Sequence, residues 1–297
     1  MDDKHADTKR WLKGIPYEVA FWRSYYANRR RRADLFSWSL FGKACSLDNF
    51  DIDAFIGSWP DSNPLILDVG CALSYAFGNI INGEEARVEY VDPLAPFYNR
   101  ILDDYGIERP RIKFGMVEQL SASYPEGSAA FIHIRNALDH CSDPMEGILQ
   151  SIKSLKVGGV LYLNHFRNEA VREAYRGFHQ FNIDERDGKL TIWNPRESID
   201  VEGKVKTFAT VDCSVSDEGR IIAVIRKTAP VPETLCNPEK TAKASAEIMI
   251  ATVGHFHSFG SVVNYQFSRL TSTIGHRLTR LLPLSSLEKL KSLLRKG

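Results

Sequence analysis

The sequence predicts an α/β fold built around a mostly parallel sheet, and three observations predict it. Short apolar runs alternate with helical patterns between residues 65 and 164, a spacing that builds strand–helix–strand units. The first run, Leu65-Ile66-Leu67-Asp68-Val69-Gly70, ends on a glycine, and the second, Val88-Glu89-Tyr90-Val91-Asp92, ends on an acid. A later pair of runs, Val205–Cys213 and Arg220–Arg226, is joined through Asp217-Glu218-Gly219 and reads as an antiparallel hairpin.

The elements follow in order. With 297 residues the chain suits one large domain with extensions. The expected division is a helical N-terminal extension over 1–60, a sheet domain over 61–228, and a linker with a helical tail over 229–297. Residues 16–60 read as helical. Tyr17-Glu18-Val19-Ala20-Phe21-Trp22 opens an aromatic-rich helix that runs into Arg29–Arg32, and a second helix over 48–58 carries Phe50, Ile52, Phe55 and Ile56. Pro60-Asp61-Ser62-Asn63-Pro64 is a turn cluster and a natural boundary. A third strand is expected at Ile112–Phe114, a fourth at Ala130–Ile134, and a fifth at Val160–Asn164 after the turn Lys156-Val157-Gly158-Gly159. Met145, Ile148, Leu149, Ile152 and Leu155 fall on one face of a helix over 144–155. A helix is expected over 168–182, a strand at Leu190–Trp193, a proline-marked linker over 229–238, and helix over 240–295.

Composition narrows the class. Hydrophobic residues make up 43% and charged residues 25% of the chain, enough to bury a large core. A net charge of +1 argues against a nucleic-acid partner for the whole molecule. The charge is uneven: residues 261–297 hold seven Lys/Arg and one acid, Glu288, so this tail is +6 and the remainder −5. Phe267, Leu270, Ile274, Leu278 and Leu281, then Leu287, Leu290 and Leu294, recur at helical spacing beside those cations. Two readings stand: a helix packed on the core with its basic side in water, or an in-plane helix over 262–296 drawn to anionic membrane. The five cysteines are scattered, without a CxxC pair, so a reducing cytoplasm is expected. The N-terminus lacks an apolar signal segment, and no run is long enough to span a bilayer.

Ligands of open α/β sheets bind beyond the carboxyl ends of the strands, so those ends are the candidate site. Asp68-Val69-Gly70-Cys71-Ala72-Leu73-Ser74 closes the first strand, where a glycine lets backbone come close to a neighbour. Asp92 closes the second, where an acid hydrogen-bonds the ribose of a nucleoside cofactor.

These segments resemble the motifs of class I S-adenosylmethionine-dependent methyltransferases, which have a Rossmann-like sheet. LDVGCALS resembles the first motif, VDPLAPFYNRIL the acidic second and GMVEQL the third, which contacts adenine. IRNALDHCSDPMEGILQSIKSLKVGGVLYLNH resembles the fourth strand through to the fifth. The resemblance covers about 65–165 well. The NALDH…DP, LKVGG and HFRNEA…Y.GFHQFN segments look closest to a bacterial subgroup. It implies that S-adenosylmethionine is bound with Asp68, Gly70, Cys71 and Ala72 flanking its methionine portion. Asp92 and Pro93 would hold the ribose and adenine edge, Met116, Val117 and Glu118 would line the adenine, and Asn136 and Ala137 would lie beneath the methyl group. The chain departs from the family pattern at Ala72 and Ser74, where glycines are usual. It departs again at Met116, where an adenine-contacting Asp is usual, and at Ala130.

For a hydroxyl acceptor, methyl transfer needs alignment and a proton acceptor. His140, in the loop after the fourth strand, is the candidate, with Asp139 beside it to orient the ring. His165, at the end of the fifth strand, is a further catalytic candidate. His179 and Gln180 are candidates for contacting acceptor hydroxyls. Each histidine can also be read as a capping or packing residue, a reading that His165 and His179 favour, and no metal-ligand set is expected from spacing alone. Three functions are weighed. The first is methyl transfer to oxygen of a small-molecule or glycan-type acceptor. The second is a binding or scaffolding module without turnover, for which Ala72, Ser74 and Met116 speak. The last is a nicotinamide-dependent oxidoreductase, which wants a GxGxxG turn where this chain keeps only Gly70.

Overall fold

The computed structural model describes residues 3–175, 178–236, 238–257 and 263. Helix α1 (Asp3–Ala27) starts earlier than the sequence suggests. The sequence reading begins the helix at residues 16–17, but the helix passes through Pro16. Proline removes one helical hydrogen bond, and the burial of Ile15, Val19, Trp22 and Tyr26, one face at helical spacing, compensates. Asn28 caps α2 (Arg29–Trp38) by accepting from the amides of Arg30 and Arg31. Residues 39–51 form a loop rather than helix, and α3 (Ile52–Gly57) is short.

The strands come next: β1 (Ile66–Val69), the small hairpin β2 (Ile80–Ile81) and β3 (Glu84–Glu85), and β4 (Val88–Asp92). Helix α4 (Ala95–Tyr105) leads to β5 (Lys113–Phe114). A 3-10 turn (Val117–Gln119) and α5 (Leu120–Ser123) precede β6 (Ala129–Arg135). A second 3-10 turn (Leu138–His140) and α6 (Pro144–Ser154) precede β7 (Leu155–Phe166). The chain continues through α7 (Glu169–Arg172), β8 (Asn182–Arg186), β9 (Lys189–Trp193), β10 (Ser198–Asp200) and α8 (Val201–Val205). It closes with the hairpin β11 (Ala209–Val215) and β12 (Arg220–Lys227), then α9 (Pro238–His257).

The main sheet has seven strands in the order β11-β12-β7-β6-β1-β4-β5. Strands β5, β4, β1, β6 and β7 are parallel; β12 runs antiparallel to β7 and to β11. This is the expected α/β, Rossmann-like sheet with an antiparallel hairpin. Strand order reverses between β1 and β6, so the loops leaving them diverge and open a crevice there. One face of the sheet, carrying Leu67, Val69, Ile132, Ile134, Leu161 and Leu163, packs against α6 and the smaller β10-β9-β8 sheet. The other carries Ile66, Phe131 and Tyr162, with Phe77 packed on them. Beside it, α1, α4 and the loop after β1 share one core.

Two expectations are corrected. The stretch 168–182 is one helical turn followed by irregular chain, because Asn168, Ala174 and Tyr175 all take left-handed backbone. The strand expected at Val205–Cys213 begins only at Ala209; residues 201–205 are helical, capped by the Asp200 side chain on the Gly203 amide. The strand expected at Leu190–Trp193 forms, as part of β9, in the separate antiparallel sheet. The amphipathic tail over 262–296 lies outside the described residues, Val263 excepted. Among the described residues, no helix is long and apolar enough to cross a membrane.

Candidate functional site

The turn after β1 is held from below and from the side. Gly70 takes φ +69°, and a Cβ there would run into the Cβ of Ala137 on the loop after β6. Glycine is therefore required by the closeness of the two loops that bound the crevice. Ala72 and Tyr75 also take left-handed φ, +46° and +47°, which costs an L-residue about 1–2 kcal/mol. Surrounding bonds keep them so: the Tyr26 hydroxyl donates to the Leu73 carbonyl at 3.1 Å, and the Tyr75 hydroxyl to the Pro110 carbonyl at 2.8 Å.

Asp92, at the end of β4, is buried. Its Oδ2 accepts from the Ala72 amide at 3.0 Å and its Oδ1 from the Leu94 amide at 2.8 Å. It thus ties the turn after β1 to the start of α4, with Pro93 between the two anchors. Burial raises its pKa to about 7 against the pull of those two amides, and the charges of Glu18 and Asp68 push the same way. Cys71 is buried beside it, and burial keeps its thiol protonated. Asp68 points into the sheet interior, where Oδ1 meets His133 Nδ1 at 2.8 Å; its Oδ2 has no partner, nor has the hydroxyl of Tyr90 on the neighbouring strand.

On the adenine side of the expected pocket, Met116 is buried and precedes the first 3-10 turn. Val117 packs into the core against Gly147 and Leu138. The Glu118 carboxylate is committed to the loop after β6: its Oε1 accepts from the Ser142 amide at 2.9 Å and hydroxyl at 3.2 Å. Gln119 leaves a buried Oε1 without a partner.

After β6, Asn136 takes φ +49° and turns its side chain toward β7, where Oδ1 accepts from the Phe166 amide at 2.8 Å and from Arg220 at 3.1 Å. Ala137 closes on Gly70. Asp139 is buried, and its Oδ2 meets His179 Nδ1 at 2.6 Å and His140 Nε2 at 3.5 Å; the two imidazole nitrogens are 3.2 Å apart. Burial alone would raise Asp139, but the charge of His140 and the bond to His179 hold it below the usual carboxylate range. Burial alone would depress His179, yet the Asp139 contact holds it above the usual histidine value. Gln180 joins by its backbone, its amide donating to the Asp139 carbonyl at 3.0 Å, while its side-chain amide donates to the Tyr175 carbonyl at 3.1 Å. His165 lies apart from this contact, buried on β7. Burial lowers its pKa to about 3, so it is a poor proton acceptor near neutrality.

The structure therefore brings Asp139, His140 and His179 into one cluster at the crevice. Spacing alone points to no metal-ligand set; in the structure these three offer ligand atoms within 4.8 Å of one another. Sequence reasoning also missed His133 as the partner of Asp68, and Phe178. The Phe178 ring stands 5.7 Å from both His140 and Trp11 and covers Gly14, so α1 reaches the cluster through it. No local pattern announces either residue.

Three similar solved structures are methyltransferases. One is the T. thermophilus 16S rRNA N2 G1207 methyltransferase RsmC in complex with AdoMet and guanosine, at 12% identity and TM-score 0.37 over 61% of this chain and 39% of that one. The CurJ carbon methyltransferase is 15% identical with TM-score 0.40, over 59% of this chain and 51% of the other. A SAM-dependent methyltransferase from Aquifex aeolicus is 14% identical with TM-score 0.36, over 55% and 81%. The chain thus spans 39% and 51% of the first two. No protein-family model and no curated protein matches the sequence.

Proposed function

We propose that the protein transfers a methyl group from S-adenosylmethionine to an oxygen of a small-molecule or glycan-type acceptor. Asp92 carries the reading: a buried carboxylate at the end of the second parallel strand, over the turn after the first. The motif resemblance over 65–165 supports it, as does the strand order with its antiparallel β12. The residues present fit a nucleoside-bearing cofactor in a further respect. Folded proteins leave few buried polar atoms unpaired, yet Asp68 Oδ2 on β1, the Tyr90 hydroxyl on β4 and Gln119 Oε1 in the 3-10 turn after β5 have no partner.

In this reading Asp92 holds the ribose hydroxyls, Pro93 and Met116 flank the adenine, and the turn of Gly70, Cys71 and Ala72 receives the amino-acid end. When bound, the cofactor supplies an electrophilic methyl on its sulfonium. Asp139, His140 and His179, next to Ala137, receive the acceptor oxygen. Glu118 and Asn136 act one step back, fixing the loop after β6 through Ser142, Phe166 and Arg220.

Calorimetry with S-adenosylmethionine tests the reading. The full-length chain is expected to bind one equivalent. Asp92→Asn should weaken binding by about 10- to 100-fold, the value of a hydrogen bond to a charged group. Absence of binding by the full-length chain would remove the enzymatic reading. One observation favours a second reading, a binding module without turnover: Ala72 brings a Cβ and left-handed strain to a turn position where the resembled family has glycine. The same titration followed by product detection separates the two.

A further inference from the structure

We propose that Asp139, His140 and His179 form a binding site for a divalent transition-metal ion. Asp139 Oδ2, His140 Nε2 and His179 Nδ1 make a triangle with sides of 2.6, 3.2 and 3.5 Å. A zinc-class ion bonds imidazole nitrogen and carboxylate oxygen at about 2.0–2.2 Å, which in a tetrahedral site sets its ligands about 3.4 Å apart. The three sides bracket that separation. Two histidines and one carboxylate are also a donor set that divalent zinc and iron accept.

The cluster is built rather than incidental. Asp139 and His140 are fixed on the 3-10 turn after β6. The backbone amides of Gln180 and Phe181 both donate to the Asp139 carbonyl, at 3.0 and 3.4 Å, and this pins His179 against the carboxylate. A second observation points to a missing partner: the Asp139 side chain is 3% exposed, and its Oδ1 has no hydrogen bond. A buried carboxylate oxygen without a protein donor is unusual. Glu169 adds a further half-buried carboxyl within electrostatic reach of all three residues. His140 and His179 keep 27% and 26% of their side chains exposed, so the site is open on one side. A metal site with three protein ligands and one open position can take a water or a substrate oxygen there. His140 then acts as a ligand, and the ion's charge takes over the polarising of that oxygen.

The site uses the same three residues that the methyl-transfer reading gives to the acceptor, and its test keeps the two claims separate. Full-length protein is dialysed against chelator and titrated with Zn2+ by calorimetry, and with Co2+ by visible absorption. One ion per chain is expected, with the d–d bands of a low-coordinate cobalt site and a rise in Tm on adding Zn2+. His179→Gln and Asp139→Asn should each weaken Zn2+ binding by about tenfold or more, since even outer partners of a metal site cost that much. Circular dichroism of each variant reports folding. If Asp139→Asn does not fold, His140→Gln and His179→Gln, both on part-exposed side chains, carry the test. S-adenosylmethionine affinity is measured on the same samples. Failure of the wild type to bind Zn2+ or Co2+ stoichiometrically overturns the site, as does undiminished binding by folded variants. Either result leaves the cofactor reading to its own titration.

Discussion

A carboxylate cut off from water titrates late, even with both oxygens on backbone amides. Asp92 has a pKa of about 7 in the folded chain, against about 3.9 when unfolded. Between those values the folded chain holds the proton and the unfolded chain does not. Stability therefore falls as pH rises across that window and levels off above it, by an amount on the order of 2–4 kcal/mol. In thermal melts between pH 5 and 8 the wild type should fall relative to Asp92→Asn as pH rises, because only the wild type carries this slope. Parallel curves would mean that Asp92 titrates normally. In the proposed site the ionised form receives the ribose, so cofactor binding should tighten as pH rises toward 8. Two neighbours give a contrast in strain. Gly70→Ala puts a Cβ into Ala137 at a left-handed position and should cost about 1–3 kcal/mol. Ala72→Gly relieves a left-handed alanine, so its Tm should not fall below wild type. Denaturation of the two variants side by side checks this, and equal losses would refute the backbone argument.

At the scale of elements, the loop after β6 depends on the turn after β5. Glu118 holds Ser142 by two hydrogen bonds from a buried position, just before α6 begins with its Asp143 cap. Removing the carboxylate leaves the Ser142 amide and hydroxyl unsatisfied, a loss of about 1–3 kcal/mol. Urea denaturation of Glu118→Ala should show it as a lower midpoint at unchanged slope. An unchanged midpoint would make Glu118 free for a ligand after all. Parallel strands were legible because a strand buried on both faces reads as a nearly continuous apolar run, as β1 does but for Asp68 and β6 does up to His133. The segment from 168 to 182 was misread because its composition is helical while its course is decided by Asn168, Ala174 and Tyr175 in left-handed backbone. Strand β8 was missed for the same reason, its pairing with β9 being invisible in local pattern. The candidate site divides likewise. Asp92, Asp139 and His140 could be named because they follow strands, where ligands of this fold lie. The pairings Asp68 with His133, Glu118 with Ser142 and Asp139 with His179 span distant segments and arise only when the sheet register sets them side by side.

At the scale of the whole molecule, α1 belongs to the sheet's own core. Ile15, Val19, Trp22 and Tyr26 are buried with Leu73, Leu94 and Tyr98, and Arg23 pairs with Asp104 of α4 at 2.7 Å. The same helix reaches both halves of the candidate site. Its Glu18 charge raises Asp92, and its Gly14 and Trp11 meet Phe178, which in turn meets His140. Burial of a large aromatic or aliphatic side chain is worth about 1.5–3 kcal/mol, so the four buried residues of α1 outweigh the net stability of many domains. Deleting residues through Ala27 should therefore abolish the cooperative transition, not merely lower it, and should raise binding of a hydrophobic dye to the exposed α4 face. A truncated chain that melts cooperatively near the wild-type Tm would show α1 to be a detachable appendage. Gly14→Leu provides the gentler form of the experiment. Its side chain would press on the Phe178 ring, so the fold should persist while ligand binding at the Asp139–His140–His179 cluster weakens.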